Sequence, residues 1–592
     1  MSQFAASTST APSVALPTRK LAMRAVIPRF VTLPSRRVLF ACLLLLAFAL
    51  RVVGLDFGLP FAEARPDEQT IAYQAMKFGR GDLNPHSFNY PSLYKYIVFG
   101  LFGGDYVVGK ALGRFAGQED FLRAFFAADG EFRLIMRAFS AVMGTVGVAL
   151  LARGPGALFS AALLAVNFLH VRDSHFGVTD ITMTTLVTAS ALLAERFARQ
   201  GGTRTLVAAA LVGGLATSTK YNAGLLAIPL AIACFYAPDT DGSLRPVASR
   251  LRSVATAGGI MLAGFVAGTP YAVLDFPTFI RDFTYEFSHL ESGQYVDVGR
   301  GWLAHATRTL PDAMGIVGLI VGVFGIGVAF RQRGGRAWVL YSFPILYFLV
   351  IGRGQLGFYR YMLPVVPFLC MAAGAVLARF AKRTTRVRST VNLAACVAMP
   401  LLASIQADRL FLAGDTRAAM GPWIEANVPT ESAIVHAGAF TGAPMLQRNV
   451  PNNEREFAAK AGRSDSSGFR KPDETKWYRR HRPMYDVQYV EKAGIDFAST
   501  VAVEAILRDP PEFFEVEDYP LQHYSAVPTA VTQLIAREYT LVHEEAAFAD
   551  PPVRARFDQQ DAFYMPVAGF REVRRMGPTL RLYRHSPPGP AQ

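Results

Sequence analysis

Arg65-Pro66-Asp67-Glu68 sets two adjacent carboxylates shortly after the first apolar run, Val38–Leu55. Pro66 suits the first turn of a helix, because its missing N–H would be unpaired there anyway. Asp67 and Glu68 then fall in that first turn, and Ile71, Ala72, Ala75 and Met76 follow at roughly helical spacing. A carboxylate held at such a membrane-side entrance can act as general base on an incoming hydroxyl. On position alone, the plainer role of complementing the helix dipole stays open. A second cluster runs from His170 through Asp173 and His175 to Thr179-Asp180, between two apolar runs. An acid such as Asp180 at the head of an apolar helix is costly and usually functional, although it or Thr179 can also serve as an N-cap. His170, Asp173 and His175 are candidate acceptor or metal contacts, with interfacial hydrogen bonding as the alternative. The third and fourth clusters are Thr219-Lys220-Tyr221 and Gly357-Phe358-Tyr359-Arg360-Tyr361-Met362-Leu363-Pro364. Singly, Lys220 and Arg360 read as cations anchoring helix ends. Two cations and two acidic sites on one face are the parts needed to bind a lipid-linked phosphate and activate a nucleophile.

Those clusters need a bundle of helices to bring them together. The chain has 592 residues, of which 51% are hydrophobic and only 18% charged. Its apolar residues gather in runs between Val38 and Ile405 and thin out afterwards, which reads as transmembrane helices. The spanning candidates are Val38–Leu55, Phe132–Leu151, Gly156–Val171, Phe176–Ala194, Leu206–Ser218, Ala223–Phe235, Val254–Thr269, Ala313–Phe330, Ala337–Ile351, Tyr361–Ala378 and Val391–Ile405. These about 11 helices, an odd number, put the two ends of the chain on opposite sides. The net charge of +14 comes from Arg and Lys clustered in short loops, the signature of membrane orientation and not of a nucleic-acid partner. With the N-terminus inside, Arg153, Arg196, Arg199, Arg204, Arg331, Arg336 and Arg386 all fall in cytoplasmic loops. Leu93–Leu112 breaks the alternation if it spans, and it carries Lys95, Asp105 and Lys110. It is therefore expected to be interfacial or re-entrant, with a second crossing near Phe121–Ala128 as the alternative.

The expected fold is thus mainly α, a polytopic membrane domain over 38–407 after a cytoplasmic tail, 1–37, with a long external loop at 56–131. Residues 408–592 mix charged, aromatic and Pro-rich segments with short alternating strands such as Ala433–His436 and Tyr539–His543, plus a helical run at Thr416–Asn427. They read as an extracytoplasmic α/β domain, with Asn452–Pro483 as a mobile polar loop. Cys42, Cys234, Cys370 and Cys396 all lie in apolar runs, so neither a disulfide framework nor zinc spacing is visible.

The order Asp-Glu after the first helix, His-x-x-x-x-His-Phe-x-x-Thr-Asp, Thr-Lys-Tyr and Arg-Tyr-x-Leu-Pro-x-x-Pro resembles the C-type (GT-C) membrane glycosyltransferases. The nearest likeness is to their protein O-mannosyltransferase and aminoarabinose-transferase branch. The resemblance implies transfer of a sugar from a polyprenyl-phosphate donor to a glycan, lipid or protein acceptor on the outer face of the cell's inner membrane. It implies Asp67 as base, Glu68 as its support or alternate, and Asp180 orienting acceptor or metal. Lys220 and Arg360 would hold the donor phosphate, with Tyr361 nearby. No ligand set in the sequence requires a metal. The competing reading is a transporter or flippase of lipid-linked saccharides, which more often shows internal repeats and helices broken at the midplane.

Overall fold

The computed structural model describes residues 35–586 apart from 62–63, 128–129, 153–155, 240–242, 244, 293–295, 450–481, 491–499, 550–553 and 562–563. Most of the expected tail, and of the loop Asn452–Pro483, lies outside the described residues. The chain is helical as far as Asn427 and mixed α/β from Ala433 to His585. Among the described residues, 5 helical stretches are long and apolar enough to cross a membrane: Gly130–Leu151, Val247–Gly268, Ile316–Gly352, Tyr359–Arg383 and Arg386–Ala413.

Other expected spans are shorter, interrupted or, like the 22-residue helix Thr179–Gln200, less apolar. The first is α1 (Arg36–Val52), capped by Ser35, whose hydroxyl accepts from the Val38 N–H. The segment after it builds α2 (Pro66–Lys77), α3 (Leu93–Ala111) and α4 (Gln118–Ala127). Pro66 does open α2, as its missing N–H suggests. The 10 residues of α4 reach about 15 Å, half of a hydrocarbon core about 30 Å thick. A crossing near Phe121–Ala128 is therefore not made by this helix. Phe102, Phe125 and Phe132 meet edge-on or tilted, at 5.0 Å between Phe125 and Phe132, and knit the loop onto α5 (Gly130–Leu151).

The expected run Gly156–Val171 is broken into α6 (Ala157–Ala165) and α7 (Phe168–Asp173). Asn167 makes the break: its side chain accepts from the His170 N–H at 3.0 Å and donates to the Ala313 carbonyl at 2.8 Å. Next come α8 (Thr179–Gln200) and α9 (Thr203–Thr219). The expected span Ala223–Phe235 opens with a 3-10 turn, Tyr221–Leu226, before the helix Ala227–Tyr236. The last long helix runs without interruption from Arg386 to Ala413, past the expected end at Ile405. Its 28 residues measure about 42 Å, more than a hydrocarbon core of about 30 Å, and its final turns reach the α/β region. There Arg409 donates to the carbonyls of Phe570 and Val573, at 3.2 and 2.9 Å, tying the helix to the α/β region.

That region holds a 6-stranded sheet in the order β3-β2-β1-β4-β8-β5. Its strands are β1 (Ala433–Ala437), β2 (Asp486–Val490), β3 (Thr500–Val501), β4 (Phe513–Asp518), β5 (Tyr539–Glu545) and β8 (Thr579–His585), beside a two-stranded ribbon of β6 (Arg556–Phe557) and β7 (Pro566–Ala568). The first four strands are parallel and the last two antiparallel. The expected strands fall within β1 and at the start of β5, and the helix Thr416–Asn427 forms behind its cap Asp415.

Close packing in the bundle depends on small residues. A Cβ added to Gly264 would stand 3.3 Å from the Gly214 Cα, and one added to Gly214 would collide with the Met261 carbonyl oxygen. Helix α9 and helix Val247–Gly268 therefore touch backbone to backbone, as small-residue interfaces in membranes allow. Gly214→Val should force the two helices apart at a cost of about 1–3 kcal/mol, read as a lower melting temperature of the detergent-solubilised protein.

Candidate active site

Each functional cluster sits where a helix begins or ends. Asp67 lies in the first turn of α2 and Asp180 in the first turn of α8. Lys220 follows α9 in an extended conformation before the 3-10 turn, and Arg360 lies in another 3-10 segment, Tyr359–Val365, entered through an extended Phe358. Helix ends leave the chain free to turn side chains inward, and here they converge.

Arg360 donates to the Asp67 carboxylate, and Lys220 donates to Asp180 at 2.7 Å. The Lys220 ammonium lies 5.2 Å from the Tyr361 ring centroid and 5.9 Å from that of Tyr90. Both predicted cations thus pair with the two predicted acids, and Tyr361 stands beside them. The Asp67 side chain keeps 31% of its surface exposed, against 10% for Arg360 and 3% for Asp180. Asp67 is therefore the acid an arriving group can reach. Burial pushes its carboxyl upward, but the Arg360 and Arg65 guanidiniums outweigh burial and hold it well below the usual carboxylate range.

Glu68 points the other way. It is fully buried, and the Arg137 guanidinium of α5 grips it at 2.8–3.1 Å while the Gly177 N–H donates at 2.7 Å. Arg137 also donates to the carbonyls of Leu55 and Phe57 at 2.8 Å each and lies 3.8 Å from the Phe57 ring centroid. Neighbouring positions on one helix turn thus do separate work: Asp67 faces the cleft and Glu68 fastens α2 to the bundle.

The two histidines are held inside the protein. Nδ1 of His170 lies 2.9 Å from the Arg51 guanidinium. The His175 ring is bracketed by the carbonyls of Val171 and Val53 at 3.0 Å and stacks on Phe411 at 4.3 Å. Asp173 is buried against Arg172 at 2.9 Å. Among the described residues, no three His, Cys, Asp or Glu side chains converge as a metal-binding group.

Several residues at the site were not legible in the sequence. Arg65 bridges Asp67, at 3.5 Å, and Asp561, at 2.8 Å. Its place beside Pro66-Asp67 was a usable signal; the contact to a residue nearly five hundred positions away had none. Glu286, on the amphipathic helix Phe276–Ser292, faces the same charges, and burial pushes its carboxyl up to about 7 with Lys220 opposing. From the α/β region, Asp558 accepts from the Tyr359 N–H at 2.9 Å and Gln560 accepts from the Gly357 N–H at 2.6 Å.

Residues 121–266 match the model of the dolichyl-phosphate-mannose-protein mannosyltransferase family. The resemblance to the C-type membrane glycosyltransferases holds. The matched segment contains Asp180 and Lys220, whereas Asp67 and Arg360 lie outside it. The chain is accordingly a multi-pass membrane protein related to glycosyltransferases. No curated protein sequence matches it at a significant level. Among solved structures it is similar to ArnT from Cupriavidus metallidurans bound to undecaprenyl phosphate, at 13% identity and TM-score 0.48, over 92% of this chain and 97% of that one. It is similar to the oligosaccharyltransferase AglB from Archaeoglobus fulgidus, in complex with an inhibitory peptide and a dolichol-phosphate, at 12% identity and TM-score 0.43, over 86% and 73%. A shorter likeness, at 20% identity and TM-score 0.28, is to the S. cerevisiae protein O-mannosyltransferase Pmt1-Pmt2 complex bound to the sugar donor, over 44% and 35%.

Glu68→Gln should leave Arg137 buried against a neutral partner. Breaking a buried pair in this way costs about 3–5 kcal/mol, so the variant should unfold at lower temperature and lose membrane level. Asp67→Asn, on the exposed side of the same turn, should keep both.

Proposed function

We propose that the protein transfers a sugar from a polyprenyl-phosphate donor to an acceptor on the outer face of the membrane, inverting the anomeric centre. The observation that carries this reading is the pairing of Asp67 with Arg360 and of Asp180 with Lys220 in one cleft. Each of the two cations holds a carboxylate whose place an arriving anion can take. An arriving donor phosphodiester carries one negative charge, as a carboxylate does, and gains a second as the sugar leaves it, so the two cations hold it most strongly as transfer proceeds. As Arg360 turns to the phosphate, Asp67 loses the partner that most depresses its basicity. The acceptor hydroxyl then gives its proton to Asp67 while its oxygen bonds to the anomeric carbon. The bond from that carbon to the phosphate oxygen breaks, and the electron pair leaves with polyprenyl phosphate, whose charge Lys220 and Arg360 stabilise. A single displacement of this kind inverts the centre.

Within this reading Asp180 positions Lys220, and Tyr361 lines the donor side. Glu68 is assigned as the anchor of α2, in place of an alternate base. His170 and His175 are assigned to holding the segment between α6 and α8, with Asp173 buried against Arg172. The eleven-span arrangement, with the N-terminus cytoplasmic and the α/β region outside the inner membrane, agrees with the clustering of Arg and Lys in alternate loops.

The test is the pool of polyprenyl-linked sugars in cells lacking the protein, in which one donor should accumulate. Wild-type protein should clear it. Asp67→Asn, present at normal level, should slow turnover by roughly two orders of magnitude or more, as loss of a general base does. An unchanged pool in the deletion strain overturns the reading. Lys220→Met and Arg360→Met should each raise the donor concentration needed for half-maximal transfer about ten- to a hundredfold, the size of one lost charge-assisted phosphate contact. Unchanged donor dependence in both would remove the carrier-phosphate site.

A further inference from the structure

A short arm of the α/β region enters the site and makes polar contacts along its whole length. Arg556 pairs with Asp312 at 2.5 Å, and the Tyr359 hydroxyl donates to the other oxygen of the same carboxylate at 2.8 Å. The Gln559 carbonyl lies 3.0 Å from His523 Nε2. The Gln560 amide donates to the carbonyls of Val296 and Gln355, at 2.9 and 3.1 Å, as its oxygen accepts from Gly357. At the tip, Asp561 takes the Arg65 guanidinium at 2.8 Å. Arg65 itself is only 2% exposed and lies 5.0 Å from the Phe176 ring centroid. It therefore stands between two carboxylates, with the shorter contact going to Asp561 and the longer, 3.5 Å, to Asp67.

We propose that Asp561 is a positioning residue for the transfer reaction: it holds Arg65 back from Asp67, so that Asp67 is a working base once the donor phosphate has taken Arg360. The inference rests on the glycosyltransferase reading and assigns the α/β region a part in the chemistry. Two guanidiniums lean on Asp67 in the empty site. The phosphate removes one of them. Without Asp561 the attraction of Arg65 shifts onto Asp67, leaving the carboxylate too well stabilised to accept a proton. The charged and titratable groups facing Asp67 are Arg360, Arg65, Lys220, Tyr90, Tyr361, Glu286 and Asp561 itself. Those facing Asp561 are Arg65, Arg360, Arg172, Asp67 and Asp558. Asp561 is thus also an anion beside the cation that is to receive the phosphate, and it repels the donor.

The two effects have opposite signs, which separates positioning from mere support. Full-length protein in nanodiscs is titrated with undecaprenyl phosphate, and turnover is followed in cells by the polyprenyl-linked sugar pool. Asp561→Asn should bind undecaprenyl phosphate about tenfold more tightly, the effect of removing one nearby like charge. It should nevertheless let the donor accumulate as Asp67→Asn does. Asp561→Glu should restore both readouts. Weaker binding together with lost turnover and a lowered melting temperature, unrescued by Glu, overturns the inference and makes the arm a structural strut. Asp561→Asn behaving as wild type overturns it as well. Wild-type protein that binds no undecaprenyl phosphate instead overturns the proposed function beneath it, an outcome visible before any variant is compared.

Discussion

Arg65 and Arg360 are two buried guanidiniums in one small cleft, and like charges so placed repel. Asp67 and Asp561 make the arrangement tenable. Arg360 meets Asp67, Asp67 meets Arg65, and Arg65 meets Asp561, so the charges alternate in sign along the row. Asp67 keeps 31% of its side chain exposed, so the row is solvated at that member and buried at Arg65 and Arg360. The row also joins three distant parts of the chain: the start of α2, the 3-10 segment at Arg360 and the α/β arm. Folding must bring all three together before the charges can be buried. The geometry of the site is therefore set by electrostatics as much as by packing.

The row can keep its geometry only because α2 does not move. Glu68, one residue from Asp67, is fixed by Arg137, and Arg137 is fixed by the carbonyls of Leu55 and Phe57. A parallel device lies deeper. Arg51 donates to the carbonyls of Ala47, Ala165 and Leu164 at 2.7, 3.0 and 3.2 Å and meets His170 at 2.9 Å. The carbonyls freed where α6 ends are thus satisfied by an arginine from α1. A chain break at depth in an apolar bundle needs such a donor, because no water is there to supply one. The histidines that look like ligands in the sequence are part of this carpentry.

The helical class, the α/β region, the strands β1 and β5 and the helix Thr416–Asn427 were all legible, because hydrophobic periodicity and turn residues are local signals. The convergence of Asp67, Asp180, Lys220 and Arg360 was legible too, since Asp180, Lys220 and Arg360 border apolar runs and Asp67 follows one, all at helix ends. Local signals fail where a role depends on orientation. Asp67 and Glu68 are indistinguishable by position, and only the rotation of α2 sends one to the cleft and the other into the core. They fail again for Asp561, whose partner is remote and whose surroundings read as an ordinary polar loop. The break at Asn167 is a middle case: an asparagine inside an apolar run is a capping signal, but the run around it is continuous enough to mask it.

Charge balance bears on how such a site accommodates an anion. Asp67, Asp173, Asp180, Asp558, Asp561 and Glu286 face Arg65, Arg172, Arg360 and Lys220, so the acids outnumber the cations. A phosphate entering this cleft adds charge of the sign in excess, and something must give way. Asp67 and Asp561 are poor candidates for taking up a proton, because guanidiniums hold both below the ordinary carboxylate range against the upward push of burial. Burial and the nearby Asp561 raise Asp558 to about 6, while burial, opposed by Lys220, leaves Glu286 at about 7. These two carboxyls are the least costly to protonate near neutral pH. Asp558 is buried on the arm, where it accepts from the Tyr359 N–H next to Arg360, and Glu286 faces Lys220 and Asp67 from the amphipathic helix. A proton taken up by either carboxyl would offset part of the phosphate's charge while Asp67 stays a carboxylate for the acceptor.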